Sequence, residues 1–255
     1  MSGVLSAILE SKRARLARGE YSPEGAAARP TDGAAFVAAL RRPGPRIVAE
    51  FKARSPSAGE ILTSPETKVE RFGLIYRRGH AAAISVVIEE DHFGGKPAWL
   101  PRIKAMSGLP VLMKDFVVDE RQLDFAVSLG ADAVLLIARA LDDGELERLS
   151  AAARERGLAR VIEAHDAADI RRAAAADPEV LGVNARDLAT FRTDLDALEA
   201  MARVIPAGPV RLAESGIRSR DDVARLSAAG FEAFLVGETL LRSEDPEQEL
   251  RELRP

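Results

Sequence analysis

A chain of 255 residues with 47% hydrophobic and 30% charged side chains can bury a large core and is unlike a disordered polypeptide. Its net charge of −4 and dispersed basic residues give no electrostatic footprint for nucleic acid, and no apolar run approaches the length that crosses a bilayer. Cysteine is absent, which excludes thiol catalysis, disulfides and cysteine-ligated metals; with no signal-peptide pattern at the N-terminus, the expected location is cytoplasmic.

Val4, Leu5, Ile8, Leu9 and Leu16 recur at helical spacing among Lys12, Arg13, Arg15 and Arg18, which predicts an amphipathic basic helix over residues 4–18. Its apolar stripe needs burial, which favours folding over the chain's own body above docking on a partner. Ser22-Pro23-Glu24-Gly25 and Arg29-Pro30-Thr31-Asp32-Gly33 are loop chemistry, with Asp32 a candidate N-cap for a short helix through Leu40. Pro43-Gly44-Pro45 closes an N-terminal extension, residues 1–45. No comparable linker follows, so residues 1–255 are expected to form one domain.

From Arg46 onward short apolar runs alternate with longer amphipathic stretches, the pattern of βα units around a parallel sheet. The first strand is followed by a helix over residues 66–78 with Gly79 as its stop. Strands over residues 82–88, 109–113, 133–137, 160–162, 180–183, 209–213 and 233–236 make eight, and a further helix stops at Gly130. Eight units in about 200 residues are the count and length of an α/β (β/α)8 TIM barrel, here with an N-terminal helical extension, whose working face is the C-terminal ends of the strands. An open doubly wound sheet usually carries a glycine-rich dinucleotide fingerprint, and neither G-x-G-x-x-G nor a P-loop is present.

Polar residues collect at that working end. Residues 47–57 begin as a buried strand and then place Glu50 and Lys52 where the run leaves the core. Side chains alternate across a strand, so this carboxylate and ammonium share one face, as a buried ion pair or as part of a polar pocket. A lysine among cations and apolar walls can have its pKa lowered toward working pH, and a buried glutamate can have its pKa raised. His80, His92 and His165 lack metal-ligand spacing, and surface or capping roles are expected for them, with no metal site.

Taken together, Glu50-x-Lys52-x-x-Ser55-Pro56-Ser57, Phe93-Gly94-Gly95, Leu112-Met113-Lys114-Asp115-Phe116, Glu163, Gly182-Val183-Asn184-x-Arg186-Asp187-Leu188, Ala213-Glu214-Ser215-Gly216-Ile217 and Val236-Gly237 form an ordered set. The set resembles the indole-3-glycerol phosphate synthase family over nearly the whole chain. That family converts carboxyphenylamino-deoxyribulose phosphate to indole glycerol phosphate in tryptophan biosynthesis, releasing carbon dioxide and water without cofactor or metal.

The resemblance implies Lys114 as principal general acid and Glu163 as general base of the final step. It makes Lys52 a second acid and a contact for the substrate's anionic groups, Glu50 the residue that orients the lysines, and Asn184 a further catalytic residue. Arg186 can fork onto the anthranilate carboxylate. Ser215, Gly216 and Gly237 fall where such barrels bind phosphate through backbone amides, and Glu214 lies beside them in the candidate substrate site. Phe93 and Phe116 are candidate walls for the aromatic ring, and Ser55 either joins the substrate site or shapes its loop. Ion pairing, turn geometry and core packing are the structural alternatives for these residues. The acidic Glu89-Glu90-Asp91, Lys96 and Ala185 depart from the commoner family pattern.

Two other readings compete. Phosphoribosylanthranilate isomerase, as that family is understood, uses a cysteine base near the first strand end, and this chain has none. A catalytically silent barrel that binds a phosphorylated metabolite would be favoured by loss of a titratable strand-end residue, and none is lost. The expected ligand is thus a small phosphorylated substrate, with other tryptophan-pathway enzymes as candidate partners and neither nucleic acid nor membrane among them.

Overall fold

The computed structural model describes residues 3–23, 30–186 and 192–254. Alternating apolar runs and amphipathic stretches fold as expected into a closed barrel of eight parallel strands. These are β1 (Arg46–Phe51), β2 (Ala83–Val87), β3 (Val111–Lys114), β4 (Ala133–Ile137), β5 (Ala159–Ala164), β6 (Val180–Asn184), β7 (Val210–Glu214) and β8 (Ala233–Val236). Sequence neighbours pair, and β1 pairs with both β2 and β8 to close the ring.

The period of two then sorts the side chains. Val48, Leu112, Val161, Leu212 and Leu235 pack together in one cluster inside the barrel, while Ile47, Phe51, Ile84, Met113 and Val134 fill the shell against the helices. Two residues beyond Val48, Leu112, Val161 and Leu212 stand Glu50, Lys114, Glu163 and Glu214. Four strands therefore carry the same device, an apolar lumen residue followed on the same face by a charged one.

Strand ends differ from expectation for that reason. Charged residues were expected to terminate the apolar runs, but β3, β5 and β7 continue through Lys114, Glu163 and Glu214, because these side chains meet one another above the core and the ladder need not stop. The helix expected over residues 66–78 divides into a single 3-10 turn, Pro65–Thr67, and α3 (Val69–Arg78), which Gly79 caps. Arg54–Ser55 and Gly59–Glu60 add a small antiparallel hairpin that the apolar pattern did not announce.

The extension supplies α1 (Gly3–Ala17) and α2 (Gly33–Leu40). Asp32 caps α2 as expected, accepting the Ala35 amide N–H at 2.8 Å. The Gly33 amide bonds Gly157 O just before β5, so α2 closes the N-terminal mouth of the barrel, where Phe36 and Leu40 join the lumen cluster. Burying two such side chains stabilises by about 1.5–3 kcal/mol each. At the opposite rim α1 buries Leu5, Ile8, Leu9 and Leu16 against the chain's own barrel.

Candidate active site

At the C-terminal ends of the strands lies a cavity of about 1000 Å³. Every predicted site residue lines it except Glu214, which is fully buried behind the wall. Asp187 and Leu188 of the Asn-x-Arg-Asp-Leu motif lie outside the described residues.

The centre holds two ammonium and three carboxylate groups. Glu50 bridges the lysines: Oε1 is 2.7 Å from Lys52 Nζ and Oε2 is 3.4 Å from Lys114 Nζ. Lys114 Nζ also donates to Glu214 Oε2 at 2.7 Å. Burial alone would raise the Glu50 pKa, but Lys52 and then Lys114 overcome it and hold the group at about 2. Glu214 is pushed up to about 7 by burial, against the attraction of Lys114 and with the repulsion of Glu163. Glu163 is likewise raised by burial, although Lys114 and a hydrogen bond from Asn184 oppose the shift. Three carboxylates facing two cations carry one excess negative charge, and retaining a proton between Glu163 and Glu214 removes it.

At Lys114 burial and neighbouring charge oppose one another. Burial lowers the pKa, but the charges of Glu214, Glu50 and Glu163 outweigh it and hold the ammonium well above its ordinary range. The lysine at this strand end is surrounded by anions, not by cations.

His165 departs from expectation. It is neither a surface nor a capping residue: only 3% of its side chain is exposed, and Nε2 lies 3.2 Å from Glu163 Oε1. Burial, reinforced by Arg139, lowers its pKa to about 4, so a neutral imidazole stands behind the candidate base. His165 lies one residue beyond the end of β5.

Asn184 Oδ1 accepts the Arg186 amide N–H at 2.9 Å, which leaves the amide nitrogen for Glu163. Arg186 Nη1 donates to Ser57 Oγ at 2.7 Å, tying the far side of the cavity to the loop after β1. Ser55 lines the cavity and accepts the Ala58 amide N–H at 3.1 Å within its loop. The rings of Phe93 and Phe116 stand 6.2 Å apart at 39° on the wall.

In the loop after β7, Ser215 and Gly216 have φ of 69° and 78°, a pair in the left-handed region, and both line the cavity. Gly237 precedes the short helix Glu238–Arg242, and Glu238 is drawn aside by Arg242 Nε at 3.0 Å. A Cβ at Gly237 would come within 2.7 Å of Glu50 Oε1, so glycine there serves the charged centre as well as the turn. Sequence reasoning missed Arg192, Arg218 and Arg242, which line this end and make it cationic.

Glu89, Glu90 and Asp91 are explained by the extension: Arg15 pairs with Glu90 and Asp91, while Glu89 turns inward beneath the Phe93 loop. Lys96 pairs with Glu66 at 3.4 Å. Lys12 was also missed, though a signal existed: it occupies a position of the Leu5, Ile8, Leu9, Leu16 stripe and is buried with it.

A closed (β/α)8 barrel with carboxylates, ammonium groups and a left-handed turn gathered at its C-terminal mouth has the layout of a barrel enzyme. A model of the indole-3-glycerol phosphate synthase family matches residues 5–253, and the chain belongs to that family. It is 44% identical over 214 residues to an indole-3-glycerol phosphate synthase of a Nocardioides species, covering 84% of this chain and 82% of the relative. It is 40% identical over 251 residues to indole-3-glycerol phosphate synthase 2 of Streptomyces coelicolor, covering 96% of each. Among solved structures, 3-hexulose-6-phosphate synthase from Salmonella typhimurium superposes with a TM-score of 0.65 at 20% identity, over 82% of this chain and 96% of that one, a likeness of fold.

Proposed function

We propose that the protein is a carbon–carbon lyase, a carboxy-lyase, that closes the indole ring of 1-(2-carboxyphenylamino)-1-deoxy-D-ribulose 5-phosphate to give indole-3-glycerol phosphate in tryptophan biosynthesis. The observation that carries this is the sequence of environments across one cavity: an aromatic pair, a centre of two ammoniums and three carboxylates, then a cationic end with a left-handed turn. Those are the needs of an anthranilate ring, a reacting ketone and a phosphate.

In this reading the ring lies by Phe93 and Phe116, Arg186 holds its carboxylate, and Ser215, Gly216 and Gly237 receive the phosphate. Lys114 donates a proton to the ketone oxygen as the ring carbon bearing the carboxylate bonds to the ketone carbon. Carbon dioxide then leaves, and its bonding pair restores the ring. Lys52 protonates the new hydroxyl, which departs as water with the push of the ring nitrogen. Glu163, aligned by Asn184, takes the last proton from the adjacent carbon to complete the indole. Two protons enter and one leaves; the net proton balances the carboxylate charge lost as neutral carbon dioxide. General acid and base steps of this kind contribute about 10²–10⁴-fold each.

The high pKa of Lys114 keeps it in the donor form at neutral pH, and the raised pKa of Glu163 suits a base that must accept a proton there. No helix among the described residues is long and apolar enough to cross a membrane, in keeping with a proposed cytoplasmic location. Association with other enzymes of the pathway belongs to the same proposal.

The test is growth of indole emission when purified protein meets the carboxyphenylamino substrate. Growth that collapses in Lys114→Ala and Glu163→Gln supports the reaction and both roles; a folded parent with no growth rules the assignment out.

A further inference from the structure

Helix α1 carries a lysine into the core of the rim. Lys12 is 1% exposed, and its Nζ lies 2.6 Å from Asp115 Oδ1 and 4.0 Å from Glu89 Oε1. It donates to Tyr21 Oη at 2.9 Å, and Tyr21 donates in turn to Asp115 Oδ2 at 3.2 Å. Glu89 and Asp115 are themselves 0% and 2% exposed. One buried ammonium thus stands between two buried carboxylates, with the ring of His92, 3.4 Å from Glu89, the remaining charge-capable contact of the described ion pairs.

Each carboxylate also holds a loop. Glu89 Oε2 accepts the amide N–H groups of His92 and Phe93 at 2.7 and 2.8 Å, and Asp115 Oδ1 accepts that of Phe116 at 2.9 Å. These are the loops after β2 and β3, and they carry the two rings of the aromatic wall. An ionised carboxylate can hold amides in a buried place only while its charge is compensated; otherwise it takes a proton or leaves the core, and the amides lose their acceptor.

We propose that Lys12 is a positioning residue of the site: by joining the two carboxylates that cap the Phe93 and Phe116 loops, it sets the spacing of the aromatic wall. The inference rests on reading that wall as the seat of the substrate ring. It gives the N-terminal helix a part in ring recognition while touching no substrate itself. A lysine that merely pins α1 to the barrel would affect both ends of the cavity alike; a positioning lysine affects the aromatic end.

Two probes separate these cases in the full-length protein: anthranilate, followed by its fluorescence, for the aromatic end, and inorganic phosphate, followed by calorimetry, for the other. Lys12→Met is expected to weaken anthranilate binding about tenfold, with phosphate affinity within about twofold and KM changed more than kcat. Lys12→Met combined with Asp115→Asn is expected to recover much of the loss, since the amide oxygen still accepts from Phe116 without an unpaired charge. Equal weakening of both probes, no weakening of either, or no recovery would overturn the inference. Should Lys12→Met fail to fold, Tyr21→Phe, which removes one hydroxyl link, decides: anthranilate weakened about threefold with phosphate unchanged supports it, and equal effects refute it. A parent that binds neither probe would remove the reading of the site and the inference with it, whereas a parent that binds both beside an unchanged Lys12→Met removes the inference alone.

Discussion

Gly182 and Glu214 approach so closely across β6 and β7 that a methyl group at residue 182 would lie 2.3 Å from Glu214 Oε1. The glycine is the space into which the buried carboxylate fits, and that carboxylate in turn fixes Lys114. Gly182→Ala should therefore cost about 1–3 kcal/mol of stability by overpacking. Turnover should fall further than stability does, because Glu214 must tilt and carry the ammonium with it. Urea unfolding and kcat measured on the same preparation check this; an alanine variant with unchanged kcat would show that Lys114 does not depend on the carboxylate's place.

Lys114→Ala should reduce turnover by about 10²–10⁴-fold, the range expected for one general acid. Phosphate affinity should persist, since the proposed phosphate site of Ser215, Gly216 and Gly237 belongs to other strand ends. Calorimetric phosphate titration beside single-turnover kinetics separates the two, and lost binding with residual turnover would refute the division of roles.

The carboxylates make opposite contributions to stability as pH changes. The Glu214 pKa is raised from 4.5 to about 7, so the folded protein holds a proton that the unfolded chain releases; that stability is full below 4.5 and is lost as pH rises through 7. Glu50 is lowered to about 2, so its contribution is full above 4.5 and is lost as pH falls through 2. Glu214→Gln should remove the first dependence, leaving two carboxylates with two ammoniums. The variant's urea midpoint should fall less than the parent's between about pH 5 and pH 8. Parallel curves would contradict the shared proton.

Arg186→Lys should raise KM about tenfold with kcat within about twofold, because an ammonium keeps the charge and loses the planar fork. A fall in kcat with KM unchanged would move Arg186 from holding the carboxylate to stabilising the reacting state.

Much of this was legible before the fold was known. The barrel followed from eight apolar runs, and Glu50 with Lys52 from a period of two. What local pattern could not supply was the sign of the environment. The charges around Lys114 have no local signature, because its neighbours Glu50, Glu163 and Glu214 come from three other strands, brought together only by closure. A surface or capping role was expected for His165, whose charged neighbours Asp169 and Arg139 come from other elements. The cationic end escaped because Arg192, Arg218 and Arg242 carry no motif of their own.

Closure of the ring also fixes an order of events. Glu50 lies in the first strand, and Gly237, which leaves it room, follows the last; the ladder between them joins Ala49 to Val236. During synthesis the chain must hold Glu50 and Lys52 without their cradle until nearly all of the barrel has emerged. Contacts so distant in sequence slow folding, because the loop must close before they can form. Activity should therefore appear with the final, slowest phase of refolding, and fragments lacking β8 should contain the two lysines yet be unable to position them.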